Sequence, residues 1–211
     1  NGFIGRHLAE ALDNPLLFQG HMDDLDSVIQ FVNSCDRIYH LAGKNRAEKG
    51  QILKNNIIST SNLVFASLLK ETPPEIVFSS SHQVLWSNLS EYGFAKMIEE
   101  EIIRKSKKWC IFRIPNVYGP GCRPFYNSVV ATFCHQIARG QPVTINDPNV
   151  KREFIFVDDL VSDLLSPEFN LEKSPSGEIM TIGDVHSLLT DRLGEHRKLE
   201  KSLQYYLDQV D

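Results

Sequence analysis

The chain has 211 residues, 42% of them hydrophobic and 23% charged, with a formal net charge of −5. That is the size and balance of one large globular domain or a domain and a half, and the acidic charge removes the electrostatic case for nucleic acid or an anionic membrane surface as partner. No apolar run reaches the ~20 residues of a membrane span, and Cys35, Cys110, Cys122 and Cys134 stand at spacings that make neither a C-x-x-C pair nor a metal set. They read as reduced packing residues, which suits a cytoplasmic protein.

In chain order, "NGFIGRHLAEAL" opens with two glycines flanking an apolar pair and runs into a helical pattern that Asn14-Pro15 ends. "LLFQG" predicts a short strand, "LDSVIQFVNSC" a helix, and "RIYHLAG" a strand ending in a glycine turn. "ILKNNIISTSNLVFASLLKE" predicts a long helix, "PPEIVFSSS" a strand, "YGFAKMIEEEIIRKS" a helix and "WCIFRIPNVYG" a strand. Alternating strands and helices predict an α/β fold with a mainly parallel sheet, doubly wound in the Rossmann manner. Beyond "NVYGPG" the texture changes: helix at "NSVVATFCHQIARGQ", strand at "PVTIND", strand into helix at "REFIFVDDLVSDLL", polar loop at "SPEFNLEKSPSG", and a tail helix at "HRKLEKSLQYYLDQV". A dinucleotide-binding domain over 1–118 and a mainly substrate-binding lobe over 119–211, with some segments returning to the main sheet, is the expected division.

Three features carry chemistry. Tyr92 and Lys96 stand four apart at a helix start and share a face; an ammonium beside a phenol stabilises the phenolate and fits it for proton transfer to a sugar hydroxyl or carbonyl. The strand "IVFSSSHQV" ends in serines able to hydrogen-bond the same oxygen, or simply to cap the next turn. "YHLAG" ends another strand in small residues, either a plain turn or a place where a flat cofactor approaches the backbone.

The ordered pieces "NGFIG", "HLAG", "NIISTSNL", "FSSSHQV", "YGFAK", "RIPNVYGPG" and "REFIFVDDLV" resemble the extended short-chain dehydrogenase/reductase family of nucleotide-sugar enzymes along almost the whole chain. "HLAGKNR" and "GCRPFYNSVVATFCHQIARGQPVTINDPN" are most similar to its capsular-polysaccharide reductases of the L-fucosamine pathway, which reduce C4 of a UDP-linked keto-sugar with NADPH. The resemblance implies a catalytic set of Ser81, Tyr92 and Lys96. It implies a cofactor site of Gly2, Phe3, Ile4, Gly5, Leu41, Ala42, Gly43, Asn56, Ser79, Tyr92, Lys96, Pro115 and Val117, with the pyrophosphate at a helix N-terminus. It implies substrate contacts from His82, Asn116, Arg123, Asn127 and Arg152, with arginine suited to a diphosphate. For Arg123 and Arg152 surface ion pairing is the alternative, and for Asn127 a helix cap. No metal site is expected. The first strand and the first glycine of the nucleotide turn are not in this sequence, so a segment upstream of Asn1 is expected.

Among the family's reactions, dehydration needs an Asp-Glu pair after the hydroxyl residue, and here His82 and Gln83 follow Ser81. Reductase and 4-epimerase remain, beside a relative that only binds nucleotide. The cofactor is NAD or NADP: "LLFQGHMDD" puts Gln19, Gly20 and His21 where NAD sites carry a ribose-binding acid, which points toward NADP, although no arginine stands there for a 2′-phosphate. The expected partners are a UDP-linked sugar and a second copy of the chain, paired through the Asn56 and Tyr92 helices.

Overall fold

The computed structural model describes residues 2–46, 48 and 50–210. In chain order its elements are α1 (Phe3–Ala11), α2 (Leu25–Asn33), β1 (Arg37–His40), α3 (Gln51–Leu69), β2 (Glu75–Ser81), a 3₁₀ turn (His82–Leu85), α4 (Glu91–Ile103), β3 (Trp109–Ile114) and β4 (Asn116–Tyr118). Then come α5 (Val129–Ala138), β5 (Lys151–Phe156), α6 (Val157–Leu165), β6 (Leu171–Lys173), β7 (Glu178–Thr181), α7 (Ile182–Thr190) and α8 (Arg197–Leu207).

The main sheet is parallel, in the order β1-β2-β3-β6. Its central strands are apolar runs because both faces are covered. On one face Ile38, Ile76, Phe78 and Ile111 pack with α2 and α3 residues such as Val28, Val32 and Leu63. On the other, Val77, Cys110 and Phe112 pack with Leu8 of α1 and Leu160 and Leu164 of α6. A second sheet, β4-β5-β7, is parallel between β4 and β5 and antiparallel between β5 and β7. It packs with α5, α7 and α8 around Phe133, Phe154, Leu189 and Leu203. All four cysteines are buried free thiols.

Side-chain caps set the helix starts. Asp24 accepts from the Ser27 N–H at α2, Ser90 from Gly93 at α4 and Ser128 from Ala131 at α5. Thr181 and Asp184 form a reciprocal capping box at α7.

Four expected elements are corrected. "LLFQG" is not a strand, because no neighbouring strand lies beside it among the described residues and a strand without a ladder leaves its peptide groups unpaired. "WCIFRIPNVYG" is two strands: Pro115, which has no N–H to donate, marks where the chain leaves the main sheet and enters the second. "PVTIND" also stays irregular. Val143 and Ile145 pack on the second core, and Gln136 Nε2 donates to the Pro142 carbonyl at 2.9 Å. The polar loop holds β6, whose Leu171 pairs with Cys110. No described helix is long and apolar enough to cross a membrane.

Candidate active site

The site is built where β1, β2 and β3 end. Ser81 closes β2, and its Oγ accepts the Gln83 N–H at 3.2 Å, capping the 3₁₀ turn. A hydroxyl has one proton and two lone pairs, so this capping bond leaves the Ser81 O–H free to donate. Gln83 also accepts from Ser90 Oγ at 2.7 Å through its Oε1, and Ser90 is the cap of α4. A Cβ on Gly93 would meet both Cβ and O of Gln83 at 3.3 Å. Glycine at this position therefore lets the first turn of α4, with Tyr92, press against the turn that follows Ser81.

Lys96 is fully buried one turn further along α4. Its Nζ lies 4.5 Å from the Phe78 ring centre, 5.8 Å from that of Tyr92 and 3.3 Å from Glu99 Oε2. Burial pushes the Lys96 ammonium below its usual value, against the pull of Glu99 and Glu100. The Tyr92 phenol is raised well above its usual value, first by burial and then by Glu99. That is the reverse of the lowering that the Tyr92–Lys96 spacing suggests, because burial of the phenol, with the Glu99 charge behind it, outweighs the neighbouring ammonium.

α4 is tied to the sheet by Glu100, whose carboxylate accepts from Ser80 Oγ at 2.6 Å and from Arg113 Nε and Nη2 at 3.0 and 2.7 Å. Burial alone would raise Glu100; the bonds from Arg113 and Ser80 hold it below its usual value instead. At the end of β1 the turn Leu41–Gly43 is braced by Asn56: its Oδ1 accepts from Lys44 N at 2.8 Å and its Nδ2 donates to Lys44 O at 3.0 Å. Ser79 Oγ reaches the His40 carbonyl at 3.3 Å.

One cavity of about 2180 Å³ runs past these groups. Gly2, Phe3, Ile4, Gly5, Leu41, Ala42, Gly43, Ser79, Ser81, His82, Tyr92, Lys96, Pro115, Asn116, Val117, Arg123 and Asn127 all line it. It is larger than the ~300–1,000 Å³ of an ordinary ligand pocket, because it continues between α1 and the edge of β1 that does not pair with β2. Asn56 sits behind the wall as a brace. Arg152 is exposed on β5, donates to the Lys151 carbonyl at 3.0 Å and is not on the wall.

The helix α1 starts at Gly2 without a side-chain cap, and a Cβ on Gly2 would meet nothing within 4 Å. Its first N–H groups therefore fit an anionic pyrophosphate. Across the cavity His82 Nδ1 lies 3.3 Å from Glu153 Oε2, and Glu153 Oε1 accepts the Gly177 N–H at 2.8 Å. Asn116 Nδ2 donates to the Glu153 carbonyl at 2.9 Å.

Several participants carry no spacing signal in the sequence. Tyr126 lines the cavity, and the guanidinium carbons of Arg46 and Arg123 each lie 5.1 Å from its ring centre. Arg46 comes from an irregular loop. Glu153 lies far along the chain from His82. Among the described residues no cluster of three His, Cys, Asp or Glu side chains offers a metal site.

The profile of the NAD dependent epimerase/dehydratase family matches residues 1–183. A UDP-2-acetamido-2,6-beta-L-arabino-hexul-4-ose reductase of Pseudomonas aeruginosa is 34% identical over 225 residues, covering 96% of this chain and 57% of the relative. The chain thus spans a little over half the length of that protein. Among solved structures, the capsular polysaccharide assembling protein CapF from Staphylococcus aureus superposes with a TM-score of 0.76 at 26% identity, covering 100% of this chain and 64% of that one. A UDP-glucose 4-epimerase of Thermotoga maritima with UDP-glucose superposes with a TM-score of 0.84 at 20% identity, covering 100% and 97%, and so shares the fold.

Proposed function

Because the chain belongs to the NAD dependent epimerase/dehydratase family, we propose that it carries out NADPH-dependent reduction at C4 of a UDP-linked 4-keto-6-deoxy sugar for surface-polysaccharide synthesis. The observation that carries this reading is the convergence of the free Ser81 O–H, the Tyr92 phenol and buried Lys96 on one cavity. The similarity to a UDP-4-keto-sugar reductase supports it.

When bound, the nicotinamide supplies hydride to the sugar carbon. Tyr92 gives the carbonyl oxygen its proton, and Ser81 donates a second hydrogen bond to that oxygen, holding charge as it develops. Lys96 keeps positive charge beside the phenol as the proton leaves it. The uncapped start of α1 holds the pyrophosphate, and Arg123 faces the substrate diphosphate. NADPH is favoured over NADH because Gln19, Gly20 and His21, and no acid, stand at the end of the irregular "LLFQG" segment, and Asp24 beyond them caps α2. The enzyme works in the cytoplasm as a homodimer. Phe65, Leu68 and Leu69 of α3 and Phe94 and Met97 of α4 are exposed on adjoining helices and supply an apolar face for a second copy.

Product analysis over a panel of UDP-hexoses and UDP-4-keto sugars, with and without NADPH, tests the reading. Reduced sugar formed only with NADPH, and lost in Tyr92→Phe, supports it. Epimerised sugar formed without net cofactor use replaces it with the 4-epimerase reading.

A further inference from the structure

Lys96 is not alone in its buried site. His40 Nε2 lies 2.9 Å from Thr60 Oγ1, Thr60 donates to Glu99 Oε1 at 2.7 Å, and Glu99 Oε2 faces Lys96 Nζ at 3.3 Å. His40, Thr60, Lys96 and Glu99 are 3%, 0%, 2% and 0% exposed, so bulk water does not screen the series. The threonine hydroxyl has one proton and gives it to Glu99. His40 Nε2 must therefore be the donor to Thr60, so the imidazole, kept neutral by burial and by the Lys96 charge, carries its proton on Nε2. Every bond points toward Glu99, and the only cation it faces in the series is Lys96. A buried glutamate in contact with a lysine, fed by two donors in line from β1 and α3, is a built counter-charge rather than a solvated helix residue.

We propose that Glu99 is a positioning residue that holds Lys96 charged and turned inward, and so sets the pH at which the Tyr92–Lys96 pair gains and loses its protons. The proposal rests on the Tyr92 and Lys96 roles given above. Among the described residues the charged or titratable groups facing Lys96 are Tyr92, Glu99 and Glu100 from α4 and neutral His40 from β1, while the Phe78 ring of β2 adds no charge. Of the two carboxylates, Glu100 is engaged by Arg113 and Arg104. Glu99 is the one without an arginine, and its negative charge opposes ionisation of Tyr92.

Removing that charge makes both the phenol and the ammonium more acidic. In Glu99→Gln the onset of Tyr92 phenolate absorption, read within the alkaline range where circular dichroism shows the protein folded and as the difference between each protein and its Tyr92→Phe counterpart, is expected at a pH lower by about one unit or more. The alkaline limb of NADPH-dependent turnover moves down with it. Thr60→Val keeps the charge and removes only the bonds, so its phenolate onset stays within about half a unit of the parent. An unmoved onset in Glu99→Gln, or equal shifts in both variants, overturns the proposal. The absorption readout needs no turnover. Absent turnover with a shifted phenolate therefore counts against the reductase reading and not against Glu99.

Discussion

Arg113 on β3 grips Glu100 on α4 through two hydrogen bonds of 3.0 and 2.7 Å, and so fixes the helix carrying Tyr92 and Lys96 beside the strand that ends at Ser81. Glu100 is almost fully buried and also takes the Ser80 hydroxyl at 2.6 Å. Without the Glu100 carboxylate, Arg113 keeps only Glu172, at 3.3 Å, and the Ser80 hydroxyl loses its acceptor.

Glu100→Gln is expected to lower unfolding free energy by about 1–3 kcal/mol at neutral pH in a denaturant titration, through the weakened bonds to Arg113 and Ser80. The pH dependence has a definite sign. Glu100 has a lowered folded value, so its contribution is complete above the ordinary 4.5 and is lost as pH falls through the lowered value. The variant should lose less stability than the parent on acidification below 4.5.

His40 gives a second, separate window. Burial, with help from the Lys96 charge, brings it down to about 3 from 6.5. On acidification the unfolded chain takes up this proton first, so the stability contribution is full above 6.5 and is lost progressively toward 3. His40→Gln should flatten the stability–pH slope between these values by on the order of 1.4 kcal/mol per pH unit. Chemical denaturation at a series of pH values checks it, and an unchanged slope would mean that His40 titrates normally.

The legible parts are those whose cause is local. The runs "EIVFSSS" and "WCIFRI" are strands because both faces are buried, and "YGFAKMIEEEIIRKS" reads as the helix that α4 is. "LLFQG" and "PVTIND" have strand-like composition, but a strand exists only with a ladder partner, which composition does not supply. β6 hid in a polar loop because an edge strand of three residues buries little. Within the site, Tyr92, Lys96 and Ser81 were marked by motif. Glu99 was not, because a glutamate three residues after a lysine on a helix usually faces water; its burial follows from where Thr60 and His40 sit. Arg152, expected at the substrate, lies off the cavity wall, since alternation on β5 puts it on the face opposite Glu153, the residue that meets His82.

Gly177 sits against β5 so closely that a Cβ would lie 2.4 Å from the Phe154 carbonyl oxygen. Gly177→Ala must displace backbone of the second sheet and loosen the bond from its N–H to Glu153. A cost of about 1–3 kcal/mol is expected, visible as a lower thermal unfolding midpoint.

If the exposed apolar face of α3 and α4 pairs two copies, Phe65→Glu together with Phe94→Glu should convert dimer to monomer in sedimentation velocity while the circular dichroism spectrum stays unchanged. A parent chain that sediments as monomer at all concentrations contradicts the pairing.

The most direct test of the reductase account is the stoichiometry of NADPH oxidation with a UDP-4-keto-6-deoxy sugar, followed by loss of nicotinamide absorbance. One NADPH is expected to be consumed per C4-hydroxyl sugar formed, with the rate falling ~10²–10⁴-fold in Tyr92→Phe while the cofactor still binds. Sugar product formed without matching NADPH loss, or a Tyr92→Phe variant that turns over at the parent rate, would contradict it.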